Sequence, residues 1–256
     1  MSNAARPILE VVDLVKHYGG VRAVDGVSFS VDRGTITGLI GPNGAGKSTA
    51  LNVIGGFLPP DGGQVLLDGD DVTGQPMHRL ARRGLVRTFQ MARVFGGLTA
   101  IENLLVAAPE QKGESARGIF EGKRFWRKQE SDAVERAREM LQAFGMEDKA
   151  DEYARNLSGG QKRAVETMRA LMTEPKLLLL DEPMAGLSPS LSRQLEDMFL
   201  KLTSDGLTLL LVEHSLDTVD RICSKVVVMA QGKILAEGRM TELRSRKEVQ
   251  DAYVIG

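Results

Sequence analysis

The sequence predicts an α/β fold, a mostly parallel sheet covered by helices and interrupted by an inserted helical stretch. Three observations carry this. Short apolar strand-type runs alternate with helix-type segments towards both ends of the chain. One run, Thr35–Ile40, stops at the glycine-rich turn Gly41-Pro42-Asn43-Gly44-Ala45-Gly46 and resumes as a helix-compatible segment at Lys47-Ser48-Thr49. The middle, from Met91 to about Arg155, contains no convincing strand. Residues 1–90 and 157–256 are therefore expected to form two parts of one core, with 91–156 as a helical subdomain.

In chain order, Ile8–Val15 and Val27–Val31 read as short strands split by Gly19 and Gly20. Helix Ser48–Gly55 follows the glycine-rich turn, and Pro59-Pro60-Asp61-Gly62-Gly63 is a turn cluster. Gln64–Asp68 is a strand, closed by Gly69 and a further turn at Asp70-Asp71. Pro76–Arg83 reads as a helix with proline at its favoured first position, and Leu85–Phe89 as a strand ending at Gln90. Thr99-Ala100-Ile101-Glu102 has the form of a capping box. Pro109–Lys128 lacks periodicity, whereas Ala133, Val134, Ala137, Met140, Leu141 and Phe144 share one helix face. Leu177–Leu180 is an uninterrupted apolar run, as expected for a strand buried on both faces. Helix Ser190–Ser204, strand Thr208–Val212 and a short helix after Ser215 follow. Strand Val226–Met229 then turns at Gln231-Gly232 into Ile234–Ala236, and a helical region starts near Thr241.

Composition bounds the function. The 256 residues are 42% hydrophobic and 26% charged, ordinary for a globular chain, and the net charge of −1 excludes a globally basic, nucleic-acid-binding surface. The single cysteine, Cys223, excludes an internal disulfide and fits a reducing compartment. No apolar run approaches the roughly 18 residues of a membrane span. The opening residues lack the basic-then-apolar form of a signal peptide, so a cytoplasmic chain is expected.

Gly41 to Thr49 fit the phosphate-loop pattern G-x-x-x-x-G-K-[ST], with a strand before and a helix after. Glycines let backbone approach a phosphate chain, and the helix N-terminus supplies partial positive charge. Lys47 would reach the β- and γ-phosphates, and the Ser48 hydroxyl would hold Mg²⁺. ATP or a similar nucleoside triphosphate is thus the expected ligand. Leu157-Ser158-Gly159-Gly160-Gln161 reads either as a capping box or as an anion-docking helix start. Two glycines in a first turn, each costing around 1 kcal/mol against alanine, favour the second reading. Leu180-Asp181-Glu182-Pro183 sets two carboxylates at the C-terminal end of a buried strand, where parallel sheets bind ligands. Asp181 would hold Mg²⁺ and Glu182 would polarise the attacking water. Gln90 ends another strand and can reach the metal or the water. His214 ends a third and faces the γ-phosphate.

Gly41–Thr49, Gln90, Leu157–Gln161, Leu180–Pro183 and His214, in this order, resemble the nucleotide-binding subunit of an ABC transporter over essentially the whole chain. The resemblance implies a P-loop NTPase core of the RecA-like type, with an antiparallel β-subdomain beside the helical one. It implies ATP and Mg²⁺ as cofactors, Tyr18 stacked on adenine, and a head-to-tail dimer of homo- or hetero-type in which Ser158, Gly159, Gly160 and Gln161 meet the partner's nucleotide. It also implies peripheral attachment to transmembrane permease subunits on the cytoplasmic face, serving a solute-binding protein indirectly. The family's segment at Met184–Pro189 often carries aspartate where Ser188 stands, which bears on communication between the two sites. Gly84–Gln90, Leu98–Ala107, the basic-aromatic segment around Phe125-Trp126 and the short end Val249–Ile255 look closest to branched-chain amino-acid importer ATPases. Urea or short-amide importers and the lipopolysaccharide exporter have similar subunits. A DNA-repair ATPase of the superfamily would insert a long coiled coil between Gln90 and Leu157, and a translation ATPase would carry two cassettes; neither pattern is present.

Overall fold

The computed structural model describes residues 6–88, 94–108 and 123–255. In chain order the elements are β1 (Leu9–Tyr18), β2 (Val21–Val31), β3 (Ile36–Ile40), α1 (Lys47–Ile54), β4 (Gly62–Leu67), β5 (Asp70–Asp71), α2 (Met77–Arg82) and β6 (Leu85–Arg87). Then come α3 (Ala100–Leu105), α4 (Lys123–Ala143), α5 (Gly159–Met172), β7 (Leu177–Asp181), α6 (Pro189–Ser204) and β8 (Thr208–Val212). The chain closes with α7 (Leu216–Ile222), β9 (Lys225–Ala230), β10 (Lys233–Gly238), α8 (Met240–Leu243) and α9 (Lys247–Ile255).

The described residues fall into two compact units, one within Met1–Thr88, Pro175–Pro183 and Phe199–Gly256, the other within Phe89–Glu174 and Met184–Met198. The first holds both sheets. An antiparallel sheet runs β2-β1-β4-β5, and a larger one runs β10-β9-β3-β8-β7-β6. In the larger sheet β9, β3, β8, β7 and β6 are all parallel, and only β10 is antiparallel. β3, β7 and β8 are buried along their whole length, as unbroken apolar strands require. Leu39 belongs to one core cluster with Leu51 and Ile54 of α1, and Ile40 to another with Val228, Met240 and Leu243. Each fully buried leucine there contributes about 1.5–3 kcal/mol.

The β1–β2 turn falls at Gly19-Gly20, but both strands run further than their apolar cores. They pair through Tyr18 and Val21 even where alternate residues face solvent. Asp70-Asp71, expected as a turn, pairs with Leu66 and Leu67 as a short edge strand. The hairpin at Gln231-Gly232 has both residues at positive φ, +49° and +78°, the geometry of a two-residue turn.

In the second unit, α3 starts with the expected capping box, Thr99 accepting from the Glu102 N–H and Glu102 accepting from the Thr99 N–H. Buried Asn103 ties the preceding loop down, donating to the Phe95 and Thr99 carbonyls. α4 begins at Lys123, earlier than its apolar periodicity, because Lys, Arg, Gln and Glu propagate a helix without needing a buried face. The sequence division at 156/157 assigns α5 to the core, whereas in the structure α5 lies in the second unit and packs on α3 and α4. Its apolar face, Ala164, Val165, Met168, Leu171 and Met172, is buried.

Candidate functional site

The parallel order of the larger sheet brings the C-terminal ends of β3, β6, β7 and β8 to one edge, the edge at which such sheets bind ligands. The turn Gly41–Gly46 leaves β3 there. Gly41 and Gly46 have φ of +148° and +99°. A Cβ on Gly41 would stand 2.0 Å from the Met229 carbonyl oxygen, and one on Gly46 2.2 Å from that of Ala23, so only glycine fits. The Ala45 N–H donates to the Pro42 carbonyl, and the Ala45 carbonyl accepts from the Gly232 N–H. Among the described residues nothing accepts from the N–H groups of Gly44 and Gly46, while Asn43 and Gly44 are exposed. These donors at the start of α1, with no side chain above them, fit a phosphate chain.

Lys47 is buried and donates to the carbonyls of Gly41 at 2.7 Å and Pro42 at 2.9 Å. Burial pushes its ammonium below the usual lysine range, and the Glu182 and Asp181 carboxylates pull the other way. Ser48 Oγ lies 3.4 Å from Asp181 Oδ1. Hydroxyl plus carboxylate is an oxygen donor set of the kind Mg²⁺ takes, so these two residues fit that ion. Thr49 follows within α1, half-buried.

Sequence reasoning missed Arg87, at the end of β6. Its guanidinium donates to Asp181 Oδ2 at 3.1 Å and to Asn52 Oδ1 at 2.5 Å, and the ion pair is almost fully buried, with 5% and 2% of the two side chains exposed. Burial pushes Arg87 below its usual value and Asp181 opposes that shift. Asp181 is thus held between a cation on one oxygen and the Ser48 hydroxyl near the other. An arginine two residues into a strand-type run, level in register with Leu179, was the only available signal.

Glu182 has a left-handed backbone, φ +52°, and its N–H donates to the Val212 carbonyl. Its carboxylate stands 2.8 Å from His214 Nε2. The sequence reading aims His214 at a γ-phosphate; in this structure the ring lies against Glu182. Tyr18 ends β1 with 49% of its surface exposed, an apolar face available to a ligand. Gln90 lies outside the described residues, as does Met91.

In the second unit, Ser158 and Gln161 form the reciprocal capping box of α5, with the Ser158 hydroxyl accepting from the Gln161 N–H and Gln161 Oε1 accepting from the Ser158 N–H. A Cβ on Gly159 would meet open space, whereas one on Gly160 would stand 3.1 Å from the Gly186 carbonyl. The cap therefore explains Ser158 and Gln161, and close approach of backbone explains Gly160. Gly159 has no packing reason to be glycine. Ser188 serves α6, its hydroxyl accepting from the Leu191 N–H.

A family profile described as ABC transporter matches residues 24–185. The chain is 41% identical to the high-affinity branched-chain amino acid transport ATP-binding protein BraF of Pseudomonas aeruginosa, with 98% of each chain covered. It is 38% identical to the corresponding LivG protein of Escherichia coli, again with 98% of each covered. Among solved structures, an ATP-binding cassette of an ABC transporter in its ADP conformation superposes with a TM-score of 0.82 at 40% identity, covering 98% of this chain and 99% of that one. A dimeric cassette bound to ADP and Pi superposes with a TM-score of 0.76 at 25% identity, covering 91% and 98%.

Proposed function

From the premise that the chain belongs to the ABC transporter family, as an ATP-binding, ATP-hydrolysing subunit of a membrane-associated transporter, we propose that it powers the import of branched-chain amino acids. The near full-length likeness to the named branched-chain amino-acid transport proteins carries the choice of solute. The working assembly is a head-to-tail dimer, homo- or heteromeric, docked on permease subunits at the cytoplasmic face, with a solute-binding protein acting through the permease and no role for nucleic acid. The permease rests in part on the segment around Val94 and Phe95, whose ring is half-exposed beneath the Arg169 guanidinium at 5.1 Å.

In each site the Gly44 and Gly46 amides and Lys47 bind the phosphates. Ser48 and Asp181 would hold Mg²⁺, joined by Gln90, and the ion would supply positive charge against that developing on the transferring phosphoryl group. Glu182 orients the attacking water, and His214, 2.8 Å away, fixes the carboxylate. Tyr18 presents its ring to adenine. Ser158 and Gly159, exposed at the start of α5, face the partner's nucleotide.

Co-reconstitution in vesicles with the permease and binding protein should give ATP-dependent uptake of leucine, isoleucine and valine. Glu182→Gln should abolish that uptake while ATP binding persists, since a general base contributes about 10²–10⁴-fold. Turnover stimulated only by urea, or outward movement of lipopolysaccharide, would retain the family and overturn the solute.

A further inference from the structure

The turn cluster Pro59–Gly63 delivers one carboxylate to the stem of the β1–β2 hairpin, at whose tip Tyr18 stands. β1 pairs with β4 only as far as Val15 with Gly62. Its pairing with β2 runs on to Tyr18 with Val21, slipping in register between Lys16 and His17. Asp61 continues the support where β4 stops. Its N–H donates to the Val15 carbonyl at 2.9 Å, its Oδ2 accepts from the His17 N–H at 2.6 Å, and its Oδ1 accepts from the Lys16 ammonium at 3.0 Å. Gly63, at φ +83°, permits so close an approach, since a Cβ there would stand 2.3 Å from the Asp13 carbonyl oxygen. Lys16 is the last buried residue of β1, and His17 and Tyr18 beyond it are exposed. The His17 and Lys16 hydrogen bonds hold the Asp61 carboxyl below its usual range, so it is an anion at neutral pH.

The other strand of the hairpin is tied to the phosphate loop. The Ala23 carbonyl oxygen lies 2.2 Å from where a Cβ on Gly46 would stand. The Asp25 N–H donates to the Gly232 carbonyl at 2.8 Å, and the Gly232 N–H to the Ala45 carbonyl at 3.1 Å. We propose that Asp61 is a positioning residue for nucleotide binding, the clamp that holds the Tyr18 end of the hairpin ready for a purine base. This rests on the reading of Tyr18 as the face that meets adenine. With the tip fixed before ligand arrives, stacking loses less chain entropy. Without the carboxylate, His17 and Tyr18 keep their pairing with β2 but lose their tie on the β4 side.

The test is a double-mutant cycle of Asp61→Ala and Tyr18→Ala in the full chain, with ADP and pyrophosphate affinities measured by calorimetry. Tyr18→Ala should lower ADP affinity by about ten-fold, within the range for a base stacked on an aromatic ring. Asp61→Ala should lower it by about five-fold, the worth of one hydrogen bond, and quicken amide exchange at His17–Gly20. In the double variant the Asp61 change should add less than about two-fold, because no ring is left to position. Pyrophosphate, which lacks a base, should bind every variant as it binds the parent. Asp61→Asn, which keeps an acceptor for the His17 N–H, is the milder variant for the same cycle, and its ADP affinity should lie between those of the parent and Asp61→Ala. Parental ADP affinity in Asp61→Ala, with Tyr18→Ala weakened, would overturn the clamp alone. A loss that persists undiminished in the Tyr18→Ala background, or that falls equally on pyrophosphate, would also overturn it and leave Asp61 a residue of the fold. Parental ADP affinity in Tyr18→Ala would overturn the base platform and the clamp together.

Discussion

Replacing Arg87 by methionine removes a buried cation while keeping most of the side-chain volume. Asp181 would then be a carboxylate only 2% exposed, keeping the Ser48 hydroxyl at 3.4 Å and the more distant attraction of the Lys47 ammonium. At 3.1 Å the lost Coulomb attraction is about 5 kcal/mol for an effective dielectric of about 20. The desolvation that Arg87 suffers in the native chain is recovered, which brings the net cost to the roughly 3–5 kcal/mol typical of breaking one side of a buried pair. At about 2–4 °C per kcal/mol for a chain of this size, the apparent melting midpoint should fall by on the order of 10 °C in metal-free, nucleotide-free buffer. The assay is differential scanning calorimetry of Arg87→Met, Asp181→Asn and the double variant. The double variant removes both charges and should regain at least half of the loss. A midpoint for Arg87→Met within about 2 °C of the parent would refute the argument, the expected fall being several times larger. A double variant no better than the single one would show that lost packing, rather than an orphaned charge, sets the cost.

Other outcomes are expected from the same geometry. Gly159→Asp has open space for its side chain and should fold, bind ATP and lose hydrolysis; mixed with Lys47→Ala it should regain activity through one intact composite site, measured as phosphate release above either parent. Phe95→Asp, which offers Arg169 an ion pair in place of the ring, should leave isolated ATPase turnover unchanged and abolish co-purification with the permease. The Cys223 thiol is raised by burial, and by the Glu213 carboxylate, from 9.0 to about 12, so the reactive thiolate appears only as the pH nears that value. Its alkylation by iodoacetamide at pH 8 should therefore be about a thousand-fold slower in the native chain than after unfolding, a difference that mass spectrometry will measure.

What could be read from the sequence was whatever is local. Glycines in a fixed pattern between a strand and a helix, carboxylates at the end of an apolar run and a serine three residues before a glutamine are each written in consecutive residues. The structure bears out their positions on β3, β7 and α5. Pairings that join distant segments were illegible. Arg87 and Asp181 meet only because β6 lies beside β7, and Tyr253 packs on the cluster of Ile40 and Val228 only because α9 returns to the larger sheet. Neither carries a local signature. Sheet pairing also overrode composition at Asp70-Asp71, where two aspartates make a poor strand but the neighbouring β4 backbone supplies partners. The two glycines in the first turn of α5 suggest room for an anion. The reciprocal cap accounts for the residues around them, and only Gly159 is left without a structural reason.

Glu182 has a further consequence for how this chain evolves and how it can be engineered. A glutamate held at φ +52° costs on the order of 1 kcal/mol or more, which glycine or asparagine at the same place would relieve. Folding alone would therefore discard the carboxylate that stands against the His214 ring. A library selected only for heat resistance should enrich Glu182→Gly and Glu182→Asn, giving sturdier and inactive proteins. At Glu182 the backbone's preference and the needs of turnover thus pull in opposite directions.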